Sequence, residues 1–346
     1  MPSIDDFDYD LPDVRIAQTP IEPRDAARLL DATDSAGTHH RQVRDLASLI
    51  RPGDLIVANN TRVIPARLGL FKPTGGAAEV FLLSESAGHQ TEAEQQAEQG
   101  GWWEALVKPS RRIAPRTTLV DAAGNPAVEV GEDLGQGRRR VHSATDEDLL
   151  TLAHRLGQVP LPPYITADLS DPERYQTVYA EAERSVAAPT AGLHLTDAVL
   201  DACRAAGAEV ATVELAVGLG TFRPILVDDI AEHSMHGEQF VVGDDVLDAC
   251  HNADRVIAIG TTTVRALESA ATLGQLDGRT ELFISPGYDW KLVDVLFTNF
   301  HQPRSSLLVM LAAFAGERWR DIYAEALAND YRFLSFGDAM IVARAE

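Results

Sequence analysis

The segment Arg255-Val-Ile-Ala-Ile-Gly-Thr-Thr-Thr-Val-Arg265 passes from five mostly apolar residues through a single glycine into a helical pattern. A strand delivered that directly onto a helix belongs to a βα unit, and such units build parallel sheets. Apolar strand runs are expected at 54–58, 209–216, 255–259 and 293–297. Helices are expected at 196–206, 263–273 and 305–315, each opened by a Ser or Thr near the cap position. A further helical pattern is read at 24–30. The fold class that follows is α/β, with a parallel or mixed sheet.

Between residues 62 and 141 the character changes. Short runs at 66–70, 78–83, 102–107, 117–120, 127–130 and 138–141 are separated by Gly, Pro and Asn turns, the pattern of a small all-β barrel or sandwich. Residues 1–60 and 146–346 are therefore expected to form one discontinuous α/β domain, with 61–145 inserted as a β-barrel. The Glu- and Gln-rich stretch from Ser84 to Gly101 has almost nothing to bury and reads as a disordered loop near 84–101.

The chain of 346 residues holds 52 acidic and 30 basic side chains, a net charge of -22. That balance excludes a protein that grips nucleic acid by bulk charge; any such partner needs a local basic patch. Candidates are Lys108, Arg111, Arg112, Arg116 and Arg138-Arg139-Arg140. Cys203 and Cys250 show no zinc spacing, and no metal is expected. The N-terminal residues lack a basic start and apolar run, and 307–315 is too short an apolar stretch to cross a membrane. The expectation is a cytoplasmic monomer without a membrane partner.

In parallel sheets ligands collect where strands end and helices begin, because loops converge there and helix N-termini attract anions. Four loops carry suitable residues. Gly260, Thr261, Thr262 and Arg265 can hold a carboxylate or phosphate, unless Arg265 simply pairs with Glu268 on its own helix. Thr298, Asn299 and His301 follow another strand, with His301 placed for acid–base chemistry or for holding a loop. In Ala187-Ala-Pro-Thr-Ala-Gly-Leu-His194, Thr190 and Gly192 let backbone approach a flat ligand beside His194. Gly218, Gly220, Thr221 and Arg223 offer a glycine-rich anion loop ahead of His233, His236 and Glu238, whose types suit a metal but whose spacing is not that of a zinc helix, while carboxylate–histidine pairs also transfer protons. Asp8 and Asp10 near the N-terminus, and Arg62 and Arg67 near the domain boundary, complete the candidates.

Taken in order, FDYDLP (7–12), NTRVIPARL (60–68), PLPPYI (160–165), RYQTVYA (174–180), VAAPTAGLH (186–194), VGLGTFRP (217–224), EHSMHGE (232–238), GTTTVRALES (260–269), TNFHQPRSSLL (298–308) and YRFLSFGDAMIV (331–342) resemble the S-adenosylmethionine:tRNA ribosyltransferase-isomerase family. The resemblance spans nearly the whole chain and implies an α/β domain with an inserted barrel. It implies transfer and isomerisation of the ribosyl group of S-adenosylmethionine onto a 7-aminomethyl-7-deazaguanine base at the tRNA anticodon. Epoxyqueuosine forms, and adenine and methionine leave, with no cofactor beyond S-adenosylmethionine itself. Hydrogens beside a sulfonium are acidic, so His194, His236 or His301 can serve as base. Asp8, Asp10 or Glu238 can assist adenine departure, and Arg265 with the Thr261–Thr263 turn can hold the methionine carboxylate.

Four positions depart from the family pattern. Asn60 stands where Asp is usual and Ala216 where His is usual. Arg184-Ser185 replaces Gly-Ala, and Gln302 replaces Leu. Together with the acidic charge these keep two other readings open: a relative that uses a small-molecule acceptor, and a non-catalytic nucleotide- or RNA-binding protein.

Overall fold

The computed structural model describes residues 3–85, 101–218, 225–235 and 237–345. The loop read near 84–101 therefore falls largely outside the described residues. Two compact units emerge: residues Met1–Arg62, Pro162–Ala182 and Ala188–Glu346, and residues Val63–Leu161 with Glu183–Ala187.

In chain order the first strands are β1 (Arg28–Ala32), β2 (His39–Gln42), β3 (Asp54–Asn59) and β4 (Thr61–Val63). Next come β5 (Arg67–Phe71), β6 (Ala77–Glu85), β7 (Trp103–Lys108), β8 (Thr117–Val120), β9 (Pro126–Gly135), β10 (Arg138–Ser143) and the short β11 (Gly157–Gln158). After β12 (Ala182–Ser185) follow β13 (Glu209–Leu215), β14 (Glu238–Val241), β15 (Arg255–Ile259), β16 (Asp277–Thr280), β17 (Val295–Asn299) and β18 (Ala339–Ala343). The helices are α1 (Leu149–Leu156), α2 (Asp197–Ala205), α3 (Asp244–Asn252), α4 (Thr261–Leu273), α5 (Ser306–Ala315) and α6 (Arg318–Ala328).

The first unit holds a nine-stranded sheet in the order β16-β14-β13-β3-β15-β17-β18-β1-β2. Its centre, β13-β3-β15-β17, is parallel. Every residue of β3, Asp-Leu-Ile-Val-Ala-Asn, is buried, as expected of a parallel strand covered on both faces. Ile56, Ile257, Phe297 and Ile341 pack with Leu200 and Cys203 in one core. Mixed α/β architecture matches the expectation from sequence.

The second unit is a closed barrel. Its strands run β5-β6-β7-β10-β9-β8, and Phe71 of β5 pairs with Val120 of β8 to complete the circuit. β5 alternates strictly, Leu68 and Leu70 inward and Arg67, Gly69 and Phe71 outward, the period-two pattern of a strand with one wet face. Helix α1, capped by Asp148 accepting from the Thr151 N–H at 2.7 Å, buries Leu149, Leu152 and Ala153 and packs on β5 and β10.

One expectation fails outright. No helix forms over 24–30: Arg24–Ala26 makes a single 3₁₀ turn, and Arg28–Ala32 is a strand whose Leu29 and Leu30 pair with Ala339 and Met340. Four of its five residues are buried, so neither helical nor alternating periodicity survives to distinguish the two. A smaller displacement affects 293–297, observed at Val295–Asn299. The N–H groups of Lys291, Leu292 and Val293 all donate to the Glu268 carboxylate (2.9, 3.0 and 3.0 Å), which takes them out of the sheet ladder.

Candidate active site

Within the first unit, the carboxyl ends of β15 and β17 and the starts of α4 and α5 line a run of clefts. One is lined by Ala188–Ala191, Val217, Gly260–Thr262, Thr298, Asn299, His301 and Leu307. A second shares Thr190, Asn299, His301 and Leu307 and adds Tyr164, Gln302, Ser305 and Ser335. A third shares Thr261, Thr262 and Leu307 and continues past Arg265 into an apolar slot of Met235, Leu282, Phe283, Ile284 and Met310. Apolar walls and a few converging polar groups are the usual make-up of a small-molecule site.

Gly260 creates the sharp entry to α4. Its φ of 89° is open to glycine, and its N–H donates to the Phe297 carbonyl at 2.7 Å. Among the described residues no side chain caps this helix. Thr263 returns its hydroxyl to the Ile259 carbonyl at 2.7 Å, whereas the buried Oγ1 of Thr262 has no partner among the described residues.

Arg265 is 3% exposed. Its Nη1 is bound to Glu238 and its Nε donates to the Leu282 carbonyl at 3.2 Å. Its buried Nη2 has no partner among the described residues. The alternative pairing with Glu268 does not occur, because Glu268 is occupied by the 291–293 backbone and the Tyr288 hydroxyl. Glu238 also accepts the Gly218 N–H at 2.9 Å. A carboxylate committed to a guanidinium and a backbone amide is an acceptor that fixes its partners rather than a ready proton donor.

At the end of β17 a hydrogen-bonded chain forms. The Thr190 hydroxyl donates to Asn299 Oδ1 at 2.9 Å, and Asn299 Nδ2 lies 2.9 Å from His194 Nε2. With the amide so oriented its N–H donates and Nε2 accepts, which places the imidazole proton on Nδ1. Burial, reinforced by Arg174, Arg332 and Arg24, pulls the His194 pKa down to about 3. The close approach at Gly192 is internal: a Cβ there would stand 2.0 Å from the Tyr179 hydroxyl.

His301 lines two of the clefts. Its Nε2 shares a hydrogen bond with Thr298 Oγ1 at 3.2 Å, and its backbone N–H donates to the Tyr323 hydroxyl at 2.8 Å. Burial alone draws its pKa to about 3. Both histidines are therefore neutral at physiological pH.

Other candidates sit apart from these contacts. Asp8 and Asp10 are exposed; the part of their segment that reaches the site is Tyr9, whose hydroxyl donates to the His301 carbonyl. Arg62 pairs with Glu173. Arg67 belongs to the barrel unit and faces Glu79 at 3.3 Å. Gly220, Thr221, Arg223 and His236 lie outside the described residues. Among the described residues no group of His, Cys, Asp and Glu could hold a metal ion. Tyr9 and Tyr323 are functional neighbours of His301 that the sequence does not single out. Their signal was weak, an aromatic inside an acidic segment and another inside an ordinary amphipathic helix.

The family described as queuosine biosynthesis protein matches residues 4–342. The chain is 46% identical to the S-adenosylmethionine:tRNA ribosyltransferase-isomerase of Rubrobacter xylanophilus, covering 98% of this chain and 97% of that protein. Identity to the enzyme of the same name from Moorella thermoacetica is 45%, over 98% and 99%. A solved S-adenosylmethionine tRNA ribosyltransferase from Thermotoga maritima is 32% identical, with a TM-score of 0.54 and 97% and 99% of the two chains covered. The chain belongs to this family.

The four positions that the sequence reading sets apart from the family pattern have concrete places here. Asn60 follows β3, donates its N–H to Val213 and accepts from Glu181 through its carbonyl, while its side-chain Oδ1 is buried without a partner among the described residues. Ala216 continues β13 and donates its N–H to Gln239 at 2.8 Å. Ser185 is fully buried, Arg184 is exposed, and Gln302 lines the second cleft.

Proposed function

We propose that this protein is an S-adenosylmethionine:tRNA ribosyltransferase-isomerase that moves and rearranges the ribosyl group of S-adenosylmethionine on 7-aminomethyl-7-deazaguanine in tRNA, releasing adenine and methionine. The observation that carries the reading is a pair of buried donors, Arg265 Nη2 and Thr262 Oγ1, that have no partner among the described residues, at the mouth of an apolar slot. A methionine moiety presents a carboxylate for such donors and an aliphatic chain for such a slot. The uncapped N–H groups at the start of α4 add favourable dipole at the same place.

Glu238 then acts through Arg265, holding the guanidinium so that Nη2 faces the ligand. His301, neutral and at the cleft surface, is the base that accepts a proton from the carbon beside the sulfonium, a role that needs the low-basicity imidazole to be paired with an acidified hydrogen. His194 is a positioning residue: its accepted hydrogen bond leaves Asn299 with one amide hydrogen for the ribose or the departing adenine. In this reading the protein works in the cytoplasm as a monomer, with S-adenosylmethionine as substrate and no further cofactor or metal.

The acidic charge favours one competitor, a small-molecule acceptor in place of tRNA. Mass spectrometry of reactions with S-adenosylmethionine decides between them. Adenine and methionine released in step with a mass gain on deazaguanine-bearing tRNA is the expected result; release with the free deazapurine base and none with tRNA selects the competitor. No release with either removes the enzymatic reading.

A further inference from the structure

The barrel unit treats its arginines in two ways. Along the strands they are neutralised: Arg67 faces Glu79, Arg138 faces Glu104 and Arg140 faces Glu132, and Arg155 pairs with Glu147. Arg139, one of the basic residues that the sequence offers to a polyanion, is 2% exposed and cannot meet one. Its guanidinium donates instead to the carbonyls of Gly131 (2.7 Å) and Ile113 (2.8 Å), and more loosely to that of Ser110 (3.3 Å).

The connection between β7 and β8 is the exception. Lys108-Pro-Ser-Arg-Arg-Ile-Ala-Pro-Arg116 contains four cations and no acidic residue, in a chain of net charge -22; Lys108, at its start, faces Glu79 at 3.7 Å. Arg111, Arg112 and Arg116 are exposed, and none has an ion pair among the described residues. The loop is nonetheless held firmly. A 3₁₀ turn spans Ser110–Arg112, Ile113 is buried, and the Arg116 N–H donates to the Val130 carbonyl at 2.7 Å. The buried Arg139 guanidinium underpins it through the Ser110 and Ile113 carbonyls.

Exposed guanidinium groups without an ion pair among the described residues, on a loop whose backbone is held by these bonds, repel one another and gain nothing for the free protein; a polyanion relieves that repulsion, and its ordering cost falls on the side-chain rotamers rather than on the loop. We infer that the Lys108–Arg116 loop is a docking surface for the phosphate backbone of RNA, with Arg111, Arg112 and Arg116 contacting phosphates and Arg139 positioning the loop from beneath. The inference rests on the reading of tRNA as acceptor and names the part of the chain that grips it.

The test is binding of deazaguanine-bearing tRNA to the full chain, followed by fluorescence anisotropy across a potassium chloride series. Each phosphate contact adds about 0.7–0.9 to the magnitude of the slope of log affinity against log salt. The triple variant Arg111→Gln/Arg112→Gln/Arg116→Gln is expected to lose about 2 from the wild-type slope and to leave the KM for S-adenosylmethionine unchanged. The control Arg138→Gln/Arg140→Gln keeps the wild-type slope. A triple variant with the wild-type slope overturns the docking surface while leaving the tRNA reading intact. A wild-type protein that shows no salt-dependent tRNA binding removes the tRNA reading, and the docking surface with it.

Discussion

The parallel sheet carries a buried ion pair at each end, and the two are finished differently. At the amino end, Asp54 of β3 and Arg255 of β15 form a two-pronged pair at 2.8 and 2.6 Å. Asp54 also accepts the Arg51 N–H at 2.8 Å, and Arg255 reaches the Leu49 carbonyl at 3.2 Å. At the carboxyl end, the Glu238–Arg265 pair leaves Arg265 Nη2 without a partner among the described residues, and Thr262 beside it likewise. A leftover donor in a buried place costs free energy unless something else meets it. The complete pair belongs to the scaffold, and the incomplete one marks the end at which a ligand is expected.

Breaking the complete pair should give the largest effect. Asp54→Asn leaves a guanidinium that is only partly solvated, and urea unfolding should show a loss of about 3 kcal/mol, at the low end for buried pairs because Arg255 is about a fifth exposed. Turnover per folded molecule should not change. Arg265→Gln should instead raise the KM for S-adenosylmethionine by roughly 10- to 100-fold, the worth of one charge-assisted hydrogen bond. Equal effects of the two variants on KM would erase the distinction between the ends.

A smaller effect separates the ends by pH. His194 and His301, both beside the clefts, have folded pKa values near 3 against an ordinary 6.5. Below pH 6.5 the unfolded chain takes up protons that the folded chain refuses. The stability these groups confer is complete above 6.5 and is lost as pH falls toward 3, by about 1.4 kcal/mol per pH unit for each histidine. Unfolding free energies of His301→Gln measured at pH 6 and pH 5 should show a slope shallower by that amount; an unchanged slope means that His301 is not held neutral by burial.

The smallest effect concerns neighbouring threonines. Thr263→Val gives up the bond to Ile259 and should cost about 1 kcal/mol in thermal unfolding. Thr262→Val removes a hydroxyl with no partner among the described residues, so stability should hold within about 0.5 kcal/mol while affinity for S-adenosylmethionine falls. A stability loss at Thr262 equal to that at Thr263 would assign both to the scaffold.

What could be read from sequence follows a physical line. Arg255–Ile259 and the caps Thr196 and Ser305 were legible because they depend on local chemistry: an apolar run, and a hydroxyl before a helix. Arg28–Ala32 was not, since burial on both faces erases periodicity. The loop inventory likewise found Arg265, Glu238, Asn299 and His194 as residue types. It could not find their partners, because Glu238 and Arg265, or His194 and Asn299, meet only after distant strands assemble. Tyr9 and Tyr323 were invisible for the same reason, their hydroxyls being assigned to His301 by packing alone.

The barrel circuit closes through one pair, Phe71 with Val120, while its other neighbouring strands share four residue pairs or more. A ring breathes at its thinnest joint. Backbone amides bordering the β5–β8 seam should exchange with solvent deuterium ahead of those in β6 and β7, so local opening of this unit has a fixed starting point in the chain.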